Sequence, residues 1–306
     1  MEDTFRAGLF SSPRYLVALL VGTLLVLSVG CNQDRAVAVR EMNKGIEAFQ
    51  SGKSMTAVRH LREASEADPT FAEPALYMGQ LYHQRLKELD NAEQAYRDAL
   101  SRKPDDAKIL YKLGTVLADK GEHDVAVEEL TRAVEIDEGH ARAWFRLGLS
   151  QQALADYPAA VESFTKSIRS NPRMKMDEDD PGGAAYHALG DLYLRYGFYD
   201  KALKVYDNAL LNNEDVARLN AGRGVAQLKL ERHEEAAESF ERAIEQDPSH
   251  VPATFNLAVV RNHLGQHDAA IEVLEQYLGR SSDQARRSAA QGLLQELQTA
   301  KEEADE

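Results

Sequence analysis

The chain has 306 residues and a formal net charge of -14, with 50 Asp and Glu against 36 Lys and Arg. That balance excludes nonspecific nucleic-acid binding by the protein as a whole, because phosphate binding draws on concentrated positive charge. One cysteine, Cys31, excludes an internal disulfide and any cysteine-based metal centre.

Ala, Leu, Glu and Arg are abundant, and all are strong helix formers. They predict an all-α protein. At this length about two globular domains are ordinary. A repeat array escapes that limit, since its core extends lengthwise.

Residues 1–30 read as an export signal. Arg6 and Arg14 flank an apolar run, Tyr15–Val29, that suits a signal core and is short for a membrane span of about 20 residues. Glu2 and Asp3 make the leading segment unusually acidic. Leu27-Ser28-Val29-Gly30-Cys31 resembles a bacterial lipobox. The resemblance implies that the Cys31 thiol receives diacylglycerol, that the chain is cut before it, and that the lipid ties the protein to a membrane. It further implies a Gram-negative envelope lipoprotein. Asn32 stands where Asp would favour inner-membrane retention, which points to the periplasmic face of the outer membrane. The other reading is an uncleaved anchor helix with an incidental cysteine. Residues 31–37 are a short linker on this account, spanning at most about 25 Å.

From residue 38 the chain repeats. Ala57, Ala92, Ala126, Ala160, Ala202, Ala236 and Ala270 are 35, 34, 34, 42, 34 and 34 residues apart. Twelve or thirteen residues before them stand Gly45, Gly79, Gly114, Gly148, Gly190, Gly224 and Ala258. Four residues after them come Leu61, Tyr96, Leu130, Phe164, Tyr206, Phe240 and Leu274. Pro69, Pro104, Pro172 and Pro248 close four units, and Glu138 and Glu214 hold that place in two others. Small and large residues at these intervals share one helical face. Each unit is therefore a helix pair, small where the helices cross and large where the crossing needs filler. The clearest copy is 141–174, with Trp144, Leu147, Gly148, Ala160 and Phe164 and two helical runs either side of Ala155-Asp156. One such pair cannot cover its own apolar faces and needs copies on both sides.

The pattern resembles the tetratricopeptide repeat, a 34-residue helix–turn–helix. The resemblance implies a right-handed α-solenoid of seven units, 38–71, 72–106, 107–140, 141–174, 183–216, 217–250 and 251–284, followed by a capping helix and tail over 285–306. The second unit carries one extra residue, placed within Arg85–Asp90. The spacing of 42 assigns 175–182 to an inserted loop. Its Asp177-Glu178-Asp179-Asp180 lacks the Gly-centred spacing of a calcium loop and reads as solvated charge. After Asp283, an N-cap residue, the stripe Ala285, Ala289, Leu293, Leu297 and Ala300 marks the cap helix, and Lys301–Glu306 reads as frayed.

No P-loop, GxGxxG, GxSxG or HExxH motif is present. No catalytic residue, cofactor, metal site or small-molecule substrate is assigned. His123, His233 and His267 share one place early in the second helix of their units, read as a ring packed between helices. Stacking keeps successive repeats about 10 Å apart, too far for these rings to share a metal.

Charge segregation is the better signal. In the family resembled, the first helix of each unit lines a concave groove and the second faces outward. First helices here carry Lys108, Tyr111, Lys112, Arg142, Phe145, Arg146, His187, Arg195, Arg218, Lys229, Phe255 and Asn256 at positions expected to point inward. Second helices carry Glu128, Glu129, Glu162, Glu234, Glu235, Glu238, Glu272 and Glu275. Lys108/Lys112 and Arg142/Arg146 are i, i+4 pairs, each suited to a carboxylate. The other reading is an ordinary solvated helix surface, partly paired with Asp119 or Asp191. A Lys/Asn carboxylate clamp known in some relatives is incomplete in both registers, with Met42, Ile46 and Tyr77 in one and Leu76, Gln80 and Lys112 in the next.

These residues predict a non-catalytic, lipid-anchored scaffold that binds a partner protein through acidic or C-terminal segments in its groove. Similar lipoproteins serve as pilotins for type IV pilus secretins or as adaptors for cell-wall hydrolases. A self-associating structural envelope protein is the alternative from another class, and an enzyme or its regulatory half is the rival.

Overall fold

The computed structural model describes residues 33–171, 181–211, 216–282 and 284–305. The signal segment, Cys31 with Asn32, Pro172, residues 175–180 of the insert, Glu214 and Asp283 lie outside them. Every regular element among the described residues is a helix. The chain divides into two compact units between Ile136 and Asp137.

The first unit contains α1 (33–50), α2 (Ser54–Ala67), α3 (Ala72–Leu81), α4 (Leu89–Arg102), α5 (Ala107–Asp119) and α6 (His123–Ile136). The second contains α7 (Ala141–Ala153), α8 (Tyr157–Ser170), α9 (Pro181–Arg195), α10 (Tyr199–Leu210), α11 (Ala217–Lys229), α12 (His233–Gln246), α13 (Val251–His263), α14 (His267–Arg280) and α15 (Gln284–Asp305). In the second unit each second helix also packs on the next first helix, and first helices touch their neighbours, α7 with α9, α9 with α11 and α11 with α13. Within this unit the packing thus runs from hairpin to hairpin, as a stacked array requires.

The small residue of each first helix faces the large residue of its own second helix. A Cβ placed on Gly148 would lie 2.7 Å from the Phe164 ring, and one on Gly79 would lie 2.5 Å from Tyr96. Rigid rings cannot swing aside as a long side chain can. Gly148→Ala is therefore expected to destabilise the protein by about 1–3 kcal/mol through overpacking. A chemical denaturation curve checks this, and an unchanged midpoint would mean that the crossing has slack.

Each hairpin turns through one residue in the left-handed region: Gly52, Lys87, Gly121, Ala155, Gly197, Glu231 and Gly265. Glycine takes this conformation without a Cβ clash. Lys87, Ala155 and Glu231 take it with some strain, so the turn geometry is imposed by the packed helices on both sides. In the second hairpin α3 runs on into a π turn, Tyr82–Leu86, before Lys87 reverses the chain. A π turn holds one residue more than an α turn. The extra residue is thus absorbed from Tyr82 onward, beginning upstream of the window 85–90.

Three boundaries differ from those read in the sequence. Helix α1 is already formed at residue 33, so residues 33–37 are not an extended linker. Arg35 explains the extension: its guanidinium bonds the Asp68 carboxylate at 2.5 Å and lies over the Phe71 ring at 4.2 Å, fastening this turn to the α2–α3 connection. Helix α9 starts at Pro181, so the last two residues assigned to the inserted loop are helical. Helix α15 is rotated relative to the expected stripe. Ala290 and Leu297 are buried and Leu293 and Leu294 half-buried, whereas Ala285, Ala289 and Ala300 are exposed. Arg287 sets this rotation by donating to the carbonyls of Leu278 and Ser281 at the end of α14, and Lys301 pairs with Asp268. The helix runs on to Asp305, where fraying was expected from Lys301 onward.

Candidate functional site

The candidate binding residues lie on first helices, in two groups. Lys108, Tyr111 and Lys112 belong to the first unit, on α5, and all the others to the second. Helix α5 starts where the Asp106 carboxylate accepts the amides of Lys108 and Ile109 at 3.0 and 3.1 Å, an N-cap that leaves the Lys108 side chain exposed. The Lys112 ammonium sits 5.3 Å from the centre of the Tyr111 ring, and both residues are half-buried. Asp119, a candidate partner for first-helix charges, bonds His83 Nε2 at 2.8 Å.

In the second unit, His140 starts α7 by accepting the Ala143 amide on Nδ1. Ala143, Leu147 and Gly148 are buried, which turns Arg142 outward and leaves Phe145 and Arg146 half-buried. Phe145 does not stand clear of the core. Its ring lies 5.9 Å from the buried Phe164 ring. Phe255 is seated likewise, 5.3 Å from Tyr277. These two rings shape the floor of the first-helix face, with only part of their area available to a guest. Asn256 is half-buried beside Phe255, and Arg195, Arg218 and Lys229 are exposed.

A polar hub joins α9, α10 and α11. Tyr206 on α10 is wedged between Gly190 and Gly222, where added Cβ atoms would fall 2.4 and 2.5 Å from its ring. Its hydroxyl donates to Asp191 Oδ1 at 2.7 Å, and the other carboxylate oxygen faces His187 Nδ1 at 3.2 Å. Burial beside this carboxylate pushes the Tyr206 hydroxyl far above the usual tyrosine range. His187 is held below the usual histidine range, first by burial and then by Arg218 and His250, against the pull of Asp191. His187 and Arg218 are therefore brought into one electrostatic neighbourhood, with His250 as a third member that sequence reasoning missed. His250 was hidden by its other task, since its Nδ1 caps α13 by accepting the Ala253 amide at 3.1 Å. Asp191 was seen only as a pairing partner, yet the tyrosine four residues after Ala202, with Asp beside the matching glycine, was the available clue.

The His187 shift has a pH consequence. Its native pKa lies below the unfolded value, about 6.5, so below that pH the unfolded chain binds a proton that the native state resists. Stability should fall as pH drops through this window, and His187→Gln should flatten that part of the slope. Urea midpoints at several pH values check this, and an identical slope in the variant would contradict it.

The second helices present exposed Glu162, Glu234, Glu235, Glu238, Glu272 and Glu275. Charge is thus sorted between layers in the second unit. The shared histidine slot is less uniform than expected. His123 and His233 are half-buried, each with Nδ1 enclosed and unbonded, and His233 stacks on His263 at 4.8 Å. His267 is exposed, so it does not pack between helices.

Helical hairpins that cross where a small residue meets a leucine or a ring, each turning through one left-handed residue, define a stacked repeat scaffold. The "Tetratricopeptide repeat" family profile matches residues 42–107, 111–175, 187–251 and 226–285, and the chain belongs to that family. The fold is accordingly an α-solenoid. Among curated proteins it is similar to the Hsp70-Hsp90 organizing protein of Triticum aestivum, 26% identical over 220 residues, covering 62% of this chain and 38% of that protein. It spans well under half the length of the curated relatives it matches first. Two solved structures share the fold. Pseudomonas aeruginosa pilF is 22% identical with a TM-score of 0.57, covering 73% of this chain and 96% of that one. YrrB, described as a TPR protein with an unusual peptide-binding site, is 22% identical with a TM-score of 0.55, covering 66% of this chain and all of that one. Members of this family generally mediate protein–protein interaction.

Proposed function

We propose that this protein is a non-catalytic holder of a partner protein, tied to the outer membrane at its periplasmic face by a lipid on Cys31. The first-helix face of the second unit takes an acidic or C-terminal segment of the partner. The observation that carries this reading is the sorting of charge in an otherwise acidic chain: Arg142, Arg146, Arg195 and Arg218 on first helices, and exposed glutamates on second helices. The arginines supply paired donors for carboxylates and steer their approach. Phe145 and Phe255 supply apolar area beneath them. Assembly of a type IV pilus secretin is the most specific form of the reading. It rests on the lipobox and the repeats together.

Fluorescence anisotropy with a labelled acidic peptide ending in a free carboxylate tests the face. Binding should weaken steeply with added salt, since exposed charges more than about 8–10 Å apart are screened, and a Gln/Asn version of the peptide should bind poorly. Equal binding of both peptides would remove the electrostatic basis. Labelling cells with a radioactive fatty acid tests the anchor: Cys31→Ser should lose the label, and a variant that retains it would overturn lipidation at that residue.

A further inference from the structure

We propose that Glu41, His60 and Glu63 form a site for a divalent transition-metal ion of the zinc class, bridging α1 and α2. His60 Nδ1 lies 3.0 Å from Glu41 Oε2 and 3.3 Å from Glu63 Oε2. All three ligand atoms lie within 4.8 Å of one another, the one such group among the described residues. Ligands bonded to zinc at about 2.0–2.1 Å in a tetrahedron stand about 3.3 Å apart. The two imidazole–carboxylate spacings already match this, and the two carboxylate oxygens, within 4.8 Å of each other, would close by up to about 1.5 Å to share an ion. One imidazole nitrogen and two carboxylate oxygens suit zinc, whereas calcium and magnesium prefer an all-oxygen shell. A fourth position remains for water or for a ligand from a partner.

The far oxygens of the two carboxylates support this geometry. Glu41 Oε1 accepts from Lys44 Nζ at 2.9 Å and faces Arg40 Nε at 3.4 Å. Glu63 Oε1 faces Arg59 Nη1 at 3.7 Å. Each carboxylate thus has one oxygen held from outside and one turned toward the imidazole, the arrangement in which outer partners orient metal ligands. The three basic side chains are between 49% and 65% exposed, so water screens their repulsion of an ion. Arg59 Nη2 also meets His60 Nε2 at 3.3 Å. With metal on Nδ1, Nε2 carries the proton, and the exposed Arg59 swings to Glu63. The alternative occupant of the gap is that proton on Nδ1, which can serve only one of the two carboxylates fully.

Glu41 comes from α1, and His60 with Glu63 from α2, so an ion here would cross-link the first hairpin. That hairpin relies on a small core of Ala48, Ala57, Val58 and Leu61 with Leu81. The proposal is independent of the partner-binding face.

Isothermal titration of the full chain carrying Cys31→Ser, in detergent, with zinc tests the site. One equivalent should bind and raise the melting temperature, while calcium and magnesium should give no heat. His60→Ala should abolish that binding event, and Glu63→Gln should weaken it at least about tenfold. Replacing both His233 and His263 by Ala should leave it intact. Absence of zinc binding in the parent, equal binding by His60→Ala, equal binding of calcium, or loss in the His233/His263 variant would each overturn the proposal. If His60→Ala lowers helicity without metal, Glu63→Gln decides the matter, because Glu63 is exposed and lies outside the core.

Discussion

Reversing Arg142 and Arg146 to glutamate together is expected to weaken binding of an acidic peptide at least about 100-fold, roughly 2.8 kcal/mol. The two side chains stand one turn apart on α7, so they act on the same stretch of a guest. Reversal replaces attraction by like-charge repulsion, which costs several kcal/mol at an interface. Neither residue belongs to the buried core, whereas Ala143, Leu147 and Gly148 on the same helix do. Both side chains have partners within the protein, so the melting temperature is measured beside the affinity, and the loss of binding should exceed any loss of stability. The comparison belongs at low and physiological ionic strength, because screening shrinks the effect. Unchanged affinity at both would remove α7 from the binding face. A lost melting transition would instead place the arginines in the fold.

Phe164→Ala should be the most damaging single change to stability, at about 3–5 kcal/mol. The ring is fully buried, fills the crossing opposite Gly148, and carries Phe145 at 5.9 Å. It shares a cluster with Ala160 on its own helix and with Leu189 and Leu192 on α9, so the cavity would open at a seam between hairpins. A repeat array is stabilised by nearest-neighbour interfaces. Weakening one seam should split its unfolding, with α7 to α9 releasing before the rest of the second unit. Equilibrium denaturation followed by circular dichroism and by Trp144 fluorescence should then give non-coincident curves. Coincident curves at an unchanged midpoint would mean that the seam contributes little.

The hairpins were legible because their chemistry recurs. Gly or Ala at one place and an apolar filler sixteen or seventeen residues later can be counted along the chain, and Gly148 with Phe164 meets as counted. What did not recur was harder to see. The π turn at Tyr82–Leu86 has no composition of its own, since length mismatch alone produces it. The rotation of α15 depends on Arg287 finding the end of α14, and a periodic stripe of alanines cannot reveal that bond. Ala289 and Ala290 are equally plausible core residues by sequence, and only the docking of the helix chooses between them. The early start of helix α1 is hidden because Arg35 looks like linker charge until Asp68 and Phe71 are placed beneath it.

The charge of the proposed face can be read from the sequence, its shape less so. Arg142, Arg195 and Arg218 are exposed as expected, but Phe145 and Phe255 rest on core rings of their own hairpins. A residue next to a buried position can lean inward or outward, and period alone does not decide which. The Tyr206–Asp191–His187 hub escaped notice for another reason: its members are spread over two helices, and only the glycine pair that admits the ring brings them together. The His60 cluster joins residues 19 apart in sequence on different helices, a distance no short motif spans.

Hydrogen–deuterium exchange of the full chain with and without a captured partner, or with the acidic peptide at saturation, bears most directly on where a guest is held. New protection is expected on α7, α9 and α11, with α8, α10 and α12 unchanged. Protection confined to the second helices, or none on α7 and α11 at saturation, would contradict it.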